Sequence, residues 1–263
     1  MRWLALDFDG VVSDSGPECF VVALRAYRAL RADSRRIPEP ASLFASGAPT
    51  LAEVRGAPLY APFVERMPLG NRAEDFGVVL ASLEAGRPLP DQAAYDAFRA
   101  EQGEDWLAEF HRRFYRERDA LSEADAEGWF ALMGPYAALL PILHRHHADT
   151  QLAIATAKDS RAVAKLLTRY GLRSLFPPER VLDKETGVHK TAHLRTLSER
   201  FKVPFEAITF VDDKVNHLDR VAPLGVRCAL AAWGYNGERE AAQAQERGYL
   251  VLSLSDFEAR LFP

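Results

Sequence analysis

Apolar and polar positions follow two different rhythms along this chain, and the change of rhythm divides it. Residues 3–12 form an apolar run broken by Asp7 and Asp9, the pattern of a buried strand that delivers polar side chains to the carboxyl edge of a sheet. From about Ser15 to Gly134 strand signals are sparse, and apolar residues recur at helical spacing over 20–32, 73–84, 92–100 and 104–116. Pro38, Pro40, Pro49, Pro58, Pro62, Pro68, Pro88 and Pro90 punctuate this stretch, which predicts short helices joined by loops. Trp106, Phe110, Phe114 and Tyr115 are spaced as one helix face and are expected in its core.

Beyond Pro135 helix and strand exchange regularly. Helices are predicted over 136–146, 160–170, 191–201, 215–222 and 238–246, and strands over 151–155, 180–182, 207–211, 227–232 and 249–253. Such alternation means a parallel sheet covered on both faces. The first strand belongs with that sheet, so the expected fold class is α/β. A doubly wound, Rossmann-like core from 1–14 and 135–263 is interrupted by an α-helical domain over 15–134. A chain of 263 residues is long enough for both parts.

Three of the predicted strands end abruptly in polar groups: Leu4-Ala5-Leu6-Asp7-Phe8-Asp9-Gly10, Ile154-Ala155-Thr156 and Phe210-Val211-Asp212-Asp213. Ligands of open α/β sheets bind at that edge. Lys190, opening a predicted helix, adds a cation. Together these residue types describe a phosphoryl-transfer site. A phosphate ester is anionic and repels nucleophiles, so its cleavage needs a carboxylate able to attack phosphorus and a cation to offset the accumulating charge. Asp7 is placed to attack. Asp9, two residues on in an extended segment, leaves the same face and can handle the leaving-group proton. Thr156 can donate its hydroxyl to the phosphoryl oxygens, and Lys190 supplies a compact positive charge to the same group. Crowding Asp7, Asp212 and Asp213 at one end of a sheet implies a hard divalent cation, and oxygen-only ligands favour Mg2+.

These four segments resemble the motifs of the haloacid dehalogenase (HAD) superfamily: an Asp-x-Asp after the first strand, a Ser or Thr after the second, a Lys, and an acidic pair. The resemblance implies a HAD-like core with a helical cap domain inserted just after the first motif. It implies a phospho-aspartate on Asp7 and general acid and base chemistry by Asp9. Magnesium would be held by Asp7, by Asp9 through its backbone carbonyl, and by Asp213 with Asp212 assisting. Family members often have Gly or Glu before the final Asp, whereas this chain reads Asp212-Asp213-Lys214, which leaves open which acid touches the metal. The family lysine is often followed by Pro; here the run is His189-Lys190-Thr191, with Lys184 as a rival, and Lys190 is favoured because it lies 23 residues before Asp213 and begins a helix-like segment.

Members that cleave carbon–phosphorus bonds use a cap lysine, and this chain has none before Lys158. Dehalogenating members typically lack an acid at the position of Asp9. The resemblance therefore points to the phosphatase branch, a phosphoric monoester hydrolase acting on a small phosphorylated metabolite under a cap hinged at 12–16 and 128–135. A phosphomutase using the same residues, or a binding protein that kept the fold, are the alternatives.

Two further residues are candidate substrate contacts: Lys158, just past Thr156, and Arg72, in the run Pro68-Leu69-Gly70-Asn71-Arg72, whose guanidinium can clamp a carboxylate or second phosphate. His217 lies near the acidic pair and could approach the site, but a polar helix face is its expected place. A net charge of −4 gives no footprint for nucleic acid or an anionic membrane. Only Cys19 and Cys228 are present, so no disulfide framework is expected and a reducing cytoplasm fits. No apolar run approaches transmembrane length. The predicted cap is larger than the family's usual one, and its extra helices offer a homodimer contact as an alternative to a pocket.

Overall fold

Strand β1 (Arg2–Leu6) has parallel partners on both sides, the setting that an apolar run without polar alternation requires. The computed structural model describes residues 2–31, 40–70, 72–158, 160–187 and 189–262; Ala32, Pro38 and Asn71 lie outside the described residues. The chain forms two compact units, Met1–Asp14 with Gly134–Pro263, and Ser15–Met133. No helix among the described residues is long and apolar enough to cross a membrane.

The first strand stops at Leu6 instead of running to Val12. Val11 and Val12 are fully buried, but in a turn: the amides of Val12 and Ser13 both donate to the Phe8 carbonyl, and Gly10 takes the left-handed φ of 82°. Apolarity there reports burial, which a strand and a buried turn share. The chain leaves this unit through β2 (Ser13–Asp14) and returns antiparallel to it through β3 (Gly134–Pro135).

The Ser15–Met133 unit is helical: α1 (Gly16–Leu30), α2 (Leu51–Arg55), α3 (Tyr60–Arg66), α4 (Ala73–Glu84), α5 (Gln92–Gln102), α6 (Glu104–Ala124) and α7 (Ala126–Ala131). Side chains fix several starts. Thr50 and Glu53 make a reciprocal capping box on α2, and Asp91 and Asp125 accept from amides in the first turns of α5 and α7. Helix α6 runs past its expected end at Arg116 because Leu121, two turns beyond Phe114, keeps the buried face going.

Its core is aromatic. Phe20, Phe63, Phe76, Phe114 and Phe110 form a chain of rings with centroids 5.2 to 6.5 Å apart. Of the aromatic face read on α6, Phe110 and Phe114 are buried, Trp106 is half-buried against Tyr27, and Tyr115 is exposed, being about 100° around the helix from Phe114. One charge lies in this unit without access to water: the Glu18 carboxylate accepts from Arg118 through both oxygens at 2.7 Å and from Trp129 Nε1 at 3.0 Å. It ties α1 to α6 and α7.

The other unit holds the sheet. Strands β4 (Thr150–Ala155), β5 (Val181–Leu182), β6 (Ile208–Asp212), β7 (Arg227–Ala231) and β8 (Leu250–Leu252) join β1 in the order β5-β4-β1-β6-β7-β8, all parallel. Helices α8 (Leu139–His146), α9 (Ser160–Arg169), α10 (Lys190–Phe201), α11 (Val215–Val221) and α12 (Glu238–Glu246) connect them, and α13 (Phe257–Leu261) ends the chain. Connections run outward from β1 in both directions, so right-handed crossovers put helices on both faces. Leu194 and Leu197 of α10, Val215, Leu218 and Val221 of α11 and Ala244 of α12 share one core with Ala5, Ala153, Phe210 and Leu230. Helix α13 carried no sequence signal because one turn and a half is too short to show a period; Phe257 docks it on Trp233.

Strand order reverses at β1, whose neighbours β4 and β6 lead to opposite edges. The carboxyl ends of β1, β4 and β6 therefore meet at a topological switch point, the place where such sheets take ligands.

Replacing Glu18 by Gln leaves the Arg118 guanidinium buried without its counter-charge. The expected loss is about 3–5 kcal/mol of stability, read as a lowered denaturant midpoint by circular dichroism. A midpoint unchanged from the native protein contradicts this account of the helical unit.

Candidate active site

Backbone pairing carries Asp7 and Thr156 just beyond their strands. The Asp7 amide donates to Val211 O at 2.9 Å and the Thr156 amide to Leu182 O at 2.8 Å, while Asp212 is the last residue of β6. Lys190 enters from the first turn of α10 and is buried. Its ammonium lies 2.6 Å from Asp7 Oδ1, 2.7 Å from the Ala155 carbonyl and 3.7 Å from Asp212 Oδ2. One cation thus touches the ends of β1, β4 and β6. Lys184, the rival to the favoured Lys190, is exposed.

Burial works against a charged lysine here, but Asp7 and Asp212 outweigh it and hold the Lys190 pKa above its ordinary value. Burial pushes the Asp7 carboxyl up to about 6, with Asp212 adding to the rise and Lys190 opposing it. Both contacts to Asp7, from Lys190 and from the Phe8 amide at 2.7 Å, fall on Oδ1. No hydrogen bond from the described residues reaches Oδ2.

The two late acids have different surroundings. Asp212 is fully buried; Oδ1 accepts from the Lys214 amide at 2.9 Å, and His217 Nδ1 stands 3.1 and 3.0 Å from its two oxygens. Burial opposes its ionisation, yet His217 and Lys190 prevail and hold its carboxyl well below the usual range. Among the described residues Asp213 forms no ion pair with Lys190 or His217. Burial and the neighbouring Asp212 raise its carboxyl well above the ordinary value, and the Lys214 charge pulls it down by less. Its Oδ2 accepts from the Tyr235 amide at 2.9 Å, and no hydrogen bond from the described residues reaches Oδ1. His217 is therefore a partner of Asp212 and not simply part of a polar helix face. Its signal was its place one turn into the helix after the acidic pair.

Asp9 stands apart from the strand, in the turn at Gly10, so the extended-segment geometry expected for Asp7 and Asp9 does not hold. Lys158 Nζ lies 3.1 and 3.3 Å from the two Asp9 oxygens. The side chain read as a substrate contact thus meets the candidate general acid, while the Lys158 amide donates to Thr156 Oγ1 at 3.1 Å. Gly10 is needed twice over: its φ is left-handed, and a Cβ there would run into Asp213 Oδ2. Arg72 belongs to the helical unit, at the start of α4. Its amide donates to Asp75 Oδ2 at 2.9 Å, and its guanidinium is largely exposed, 3.9 Å from Glu74 Oε1.

Asp7, Asp212 and His217 each offer a ligand atom within 4.8 Å of one another. Of the three buried acids, Asp7 faces Lys190 and Asp212 faces both Lys190 and His217. Since Asp212 already faces both of those groups, Asp213 Oδ1 and Asp7 Oδ2 are the oxygens with a charge to be met. That donor set fits a hard divalent cation.

No family model and no curated protein matches the chain. Solved structures do. A predicted phosphoglycolate phosphatase from Haemophilus somnus superposes with a TM-score of 0.63 at 19% identity, over 99% of this chain and 97% of that one. A haloacid dehalogenase-like family hydrolase from Streptococcus pneumoniae gives 0.63 at 12% identity, over 99% and 98%. A protein provisionally named phosphoglycolate phosphatase from Lactobacillus delbrueckii subsp. bulgaricus gives 0.68 at 12% identity, over 99% of each chain. The chain has the haloacid dehalogenase-like hydrolase fold, a six-stranded parallel sheet flanked by helices together with a separate helical unit.

One residue of α10 reports on this region through pH. His193 Nε2 lies 2.9 Å from the Asp183 and Gly187 carbonyls, so it carries the proton, and Nδ1 has no partner among the described residues. Burial, helped by Lys190, lowers its pKa from 6.5 to about 4. Stability from the neutral ring is fully present above pH 6.5 and is lost as pH falls through about 4, an effect of about 3 kcal/mol. His193→Gln keeps a donor for the carbonyls and is expected to flatten that acid limb in denaturation measured from pH 7 to 4. An equally steep limb in the variant contradicts this assignment.

Proposed function

We propose that the protein is a magnesium-dependent phosphatase that hydrolyses a small phosphorylated metabolite through a phospho-aspartate on Asp7, in a reducing cytoplasm. The observation that carries this reading is the Lys190 ammonium set between Asp7, the Ala155 carbonyl and Asp212 at the switch point of the sheet. Cys19 and Cys228 are buried thiols that form no disulfide, which agrees with a reducing compartment.

Asp7 Oδ2 attacks phosphorus, the bond from phosphorus to the ester oxygen breaks, and Asp9 gives that oxygen its proton. Asp9, now ionised, takes a proton from water; the water oxygen attacks phosphorus, and the bond to Asp7 breaks to release phosphate. Thr156 Oγ1 accepts from the Lys158 amide, which aims its hydroxyl hydrogen elsewhere, and we assign that donor to the phosphoryl oxygens with Lys190. Lys158 holds the Asp9 carboxylate in place between the two steps. Asp7, Asp213 and the Asp9 carbonyl would hold Mg2+, with Asp212 supporting. When bound, the ion offsets charge on the transferring group. Arg72, at the start of α4 with its guanidinium largely exposed, is assigned to binding an anionic group of the substrate. Two of the three structures described above carry the name phosphoglycolate phosphatase, which makes phosphoglycolate the first compound to test.

The test is phosphate release from a panel of small phosphate esters with and without Mg2+. Release is expected to need Mg2+, to vanish in Asp7→Asn, and to fall about 10²–10³-fold in kcat for Lys190→Met. Failure to hydrolyse any compound, with the protein folded and Mg2+ present, contradicts the reading. Arg72→Ala is expected to raise KM about tenfold or more with kcat little changed. A fall in kcat at constant KM would remove Arg72 from substrate binding.

A further inference from the structure

The segment following β7, Ala232-Trp233-Gly234-Tyr235-Asn236-Gly237, belongs to none of the four motifs, yet it closes on two of them. The Tyr235 amide donates to Asp213 Oδ2 at 2.9 Å. Asn236 Nδ2 donates to the Asp213 carbonyl at 3.0 Å and to the Ala231 carbonyl at 2.8 Å, so both its hydrogens are used on main-chain oxygens. Trp233 Nε1 donates to the Val11 carbonyl at 3.0 Å, and the Tyr235 hydroxyl to Asp14 Oδ1 at 3.1 Å. Gly234 sits so close that a Cβ there would run into both Asp213 Cβ and the Gly10 carbonyl. Its φ is outside the left-handed region, so side-chain bulk, not backbone strain, is what the position excludes.

We infer that this loop is a positioning element for the metal site, with Asn236 and Gly234 as its positioning residues: it fixes the Asp213 carboxylate and the Gly10 turn against each other. The inference rests on the phosphatase reading above. The Tyr235 amide binds one Asp213 oxygen and leaves Oδ1 for a cation. Asn236 fixes the backbone from which that carboxylate springs, and Gly234 lets the turn after Asp9 lie against it. Partners of this kind, one bond removed from a metal ligand, typically change metal affinity 10–100-fold when lost.

The experiment is calorimetric titration of the folded protein with Mg2+ alone, comparing the native chain with Asn236→Asp, Gly234→Ala and, as control, Tyr249→Phe, which removes a hydroxyl bond to Asp219 elsewhere in the same unit. Asn236→Asp turns a carboxylate toward two carbonyls, and Gly234→Ala pushes Asp213 and Gly10 apart. Both are expected to weaken Mg2+ binding at least tenfold, and the control by less than twofold. A native protein that binds Mg2+, with both variants folded and binding it equally well, overturns this inference alone. A native protein that binds no Mg2+ overturns the functional reading and this inference with it. Should either variant fail to fold, hydrogen exchange on the native chain decides: Mg2+ is expected to slow amide exchange over 233–236, and unchanged exchange overturns the inference.

Discussion

A buried ammonium among buried carboxylates is the constraint on which the α/β unit turns. Lys190 and the acids Asp7, Asp212 and Asp213 are all nearly closed to water, and ions so placed are costly unless each is met by charge and hydrogen bonds. Three strands must therefore end at one level, since the ammonium reaches Asp7 past β1, Ala155 at the end of β4 and Asp212 at the end of β6. The register of β1 with both neighbours supplies that level. Helix α10 must begin at Lys190, and its buried Leu194 and Leu197 hold it to the sheet.

Charge is then apportioned unequally, and the inequality separates roles. Asp212 has His217 and Lys190 and is held ionised; Asp213, with the Tyr235 amide on its carboxylate and Lys214 nearby, is still pushed the other way by burial and Asp212. Asp7 shares Lys190 and keeps one oxygen clear. Asp9, out in the Gly10 turn, has a lysine of its own. Adjacent residues of one sequence motif thus do different work because their neighbours differ. The helical unit has the same logic in miniature, where Arg118 and Trp129 both face the buried Glu18.

Much of this was legible in the sequence where burial and chemistry coincide. An apolar run that stops at a carboxylate can be read as a strand with a site at its end, and β1, β4 and β6 were found that way. Spacing to the acidic pair and a place at a helix start favoured Lys190 over Lys184, but only the fold shows that Lys190 is buried while Lys184 is exposed. The end of β1 was misplaced because Val11 and Val12 look the same in a buried turn as in a strand. The partnership of His217 with Asp212 depends on how α11 leaves β6, which no periodicity encodes. Least legible was the 232–237 loop, whose hold on Asp213 uses a main-chain amide and an ordinary asparagine. Its one signal was position: a polar, glycine-flanked turn at the sheet edge where the motifs also end.

The central claim is that Asp7 takes the phosphoryl group. Mixing the protein with a turned-over phosphate ester and Mg2+, quenching in acid within the first turnover and weighing the intact chain tests it most directly. The account predicts one added phosphoryl group, carried by the peptide that contains Asp7, lost on treatment with base and absent from Asp7→Asn. Phosphate released in the first turnover with no phosphorylated chain at any quench time would contradict it.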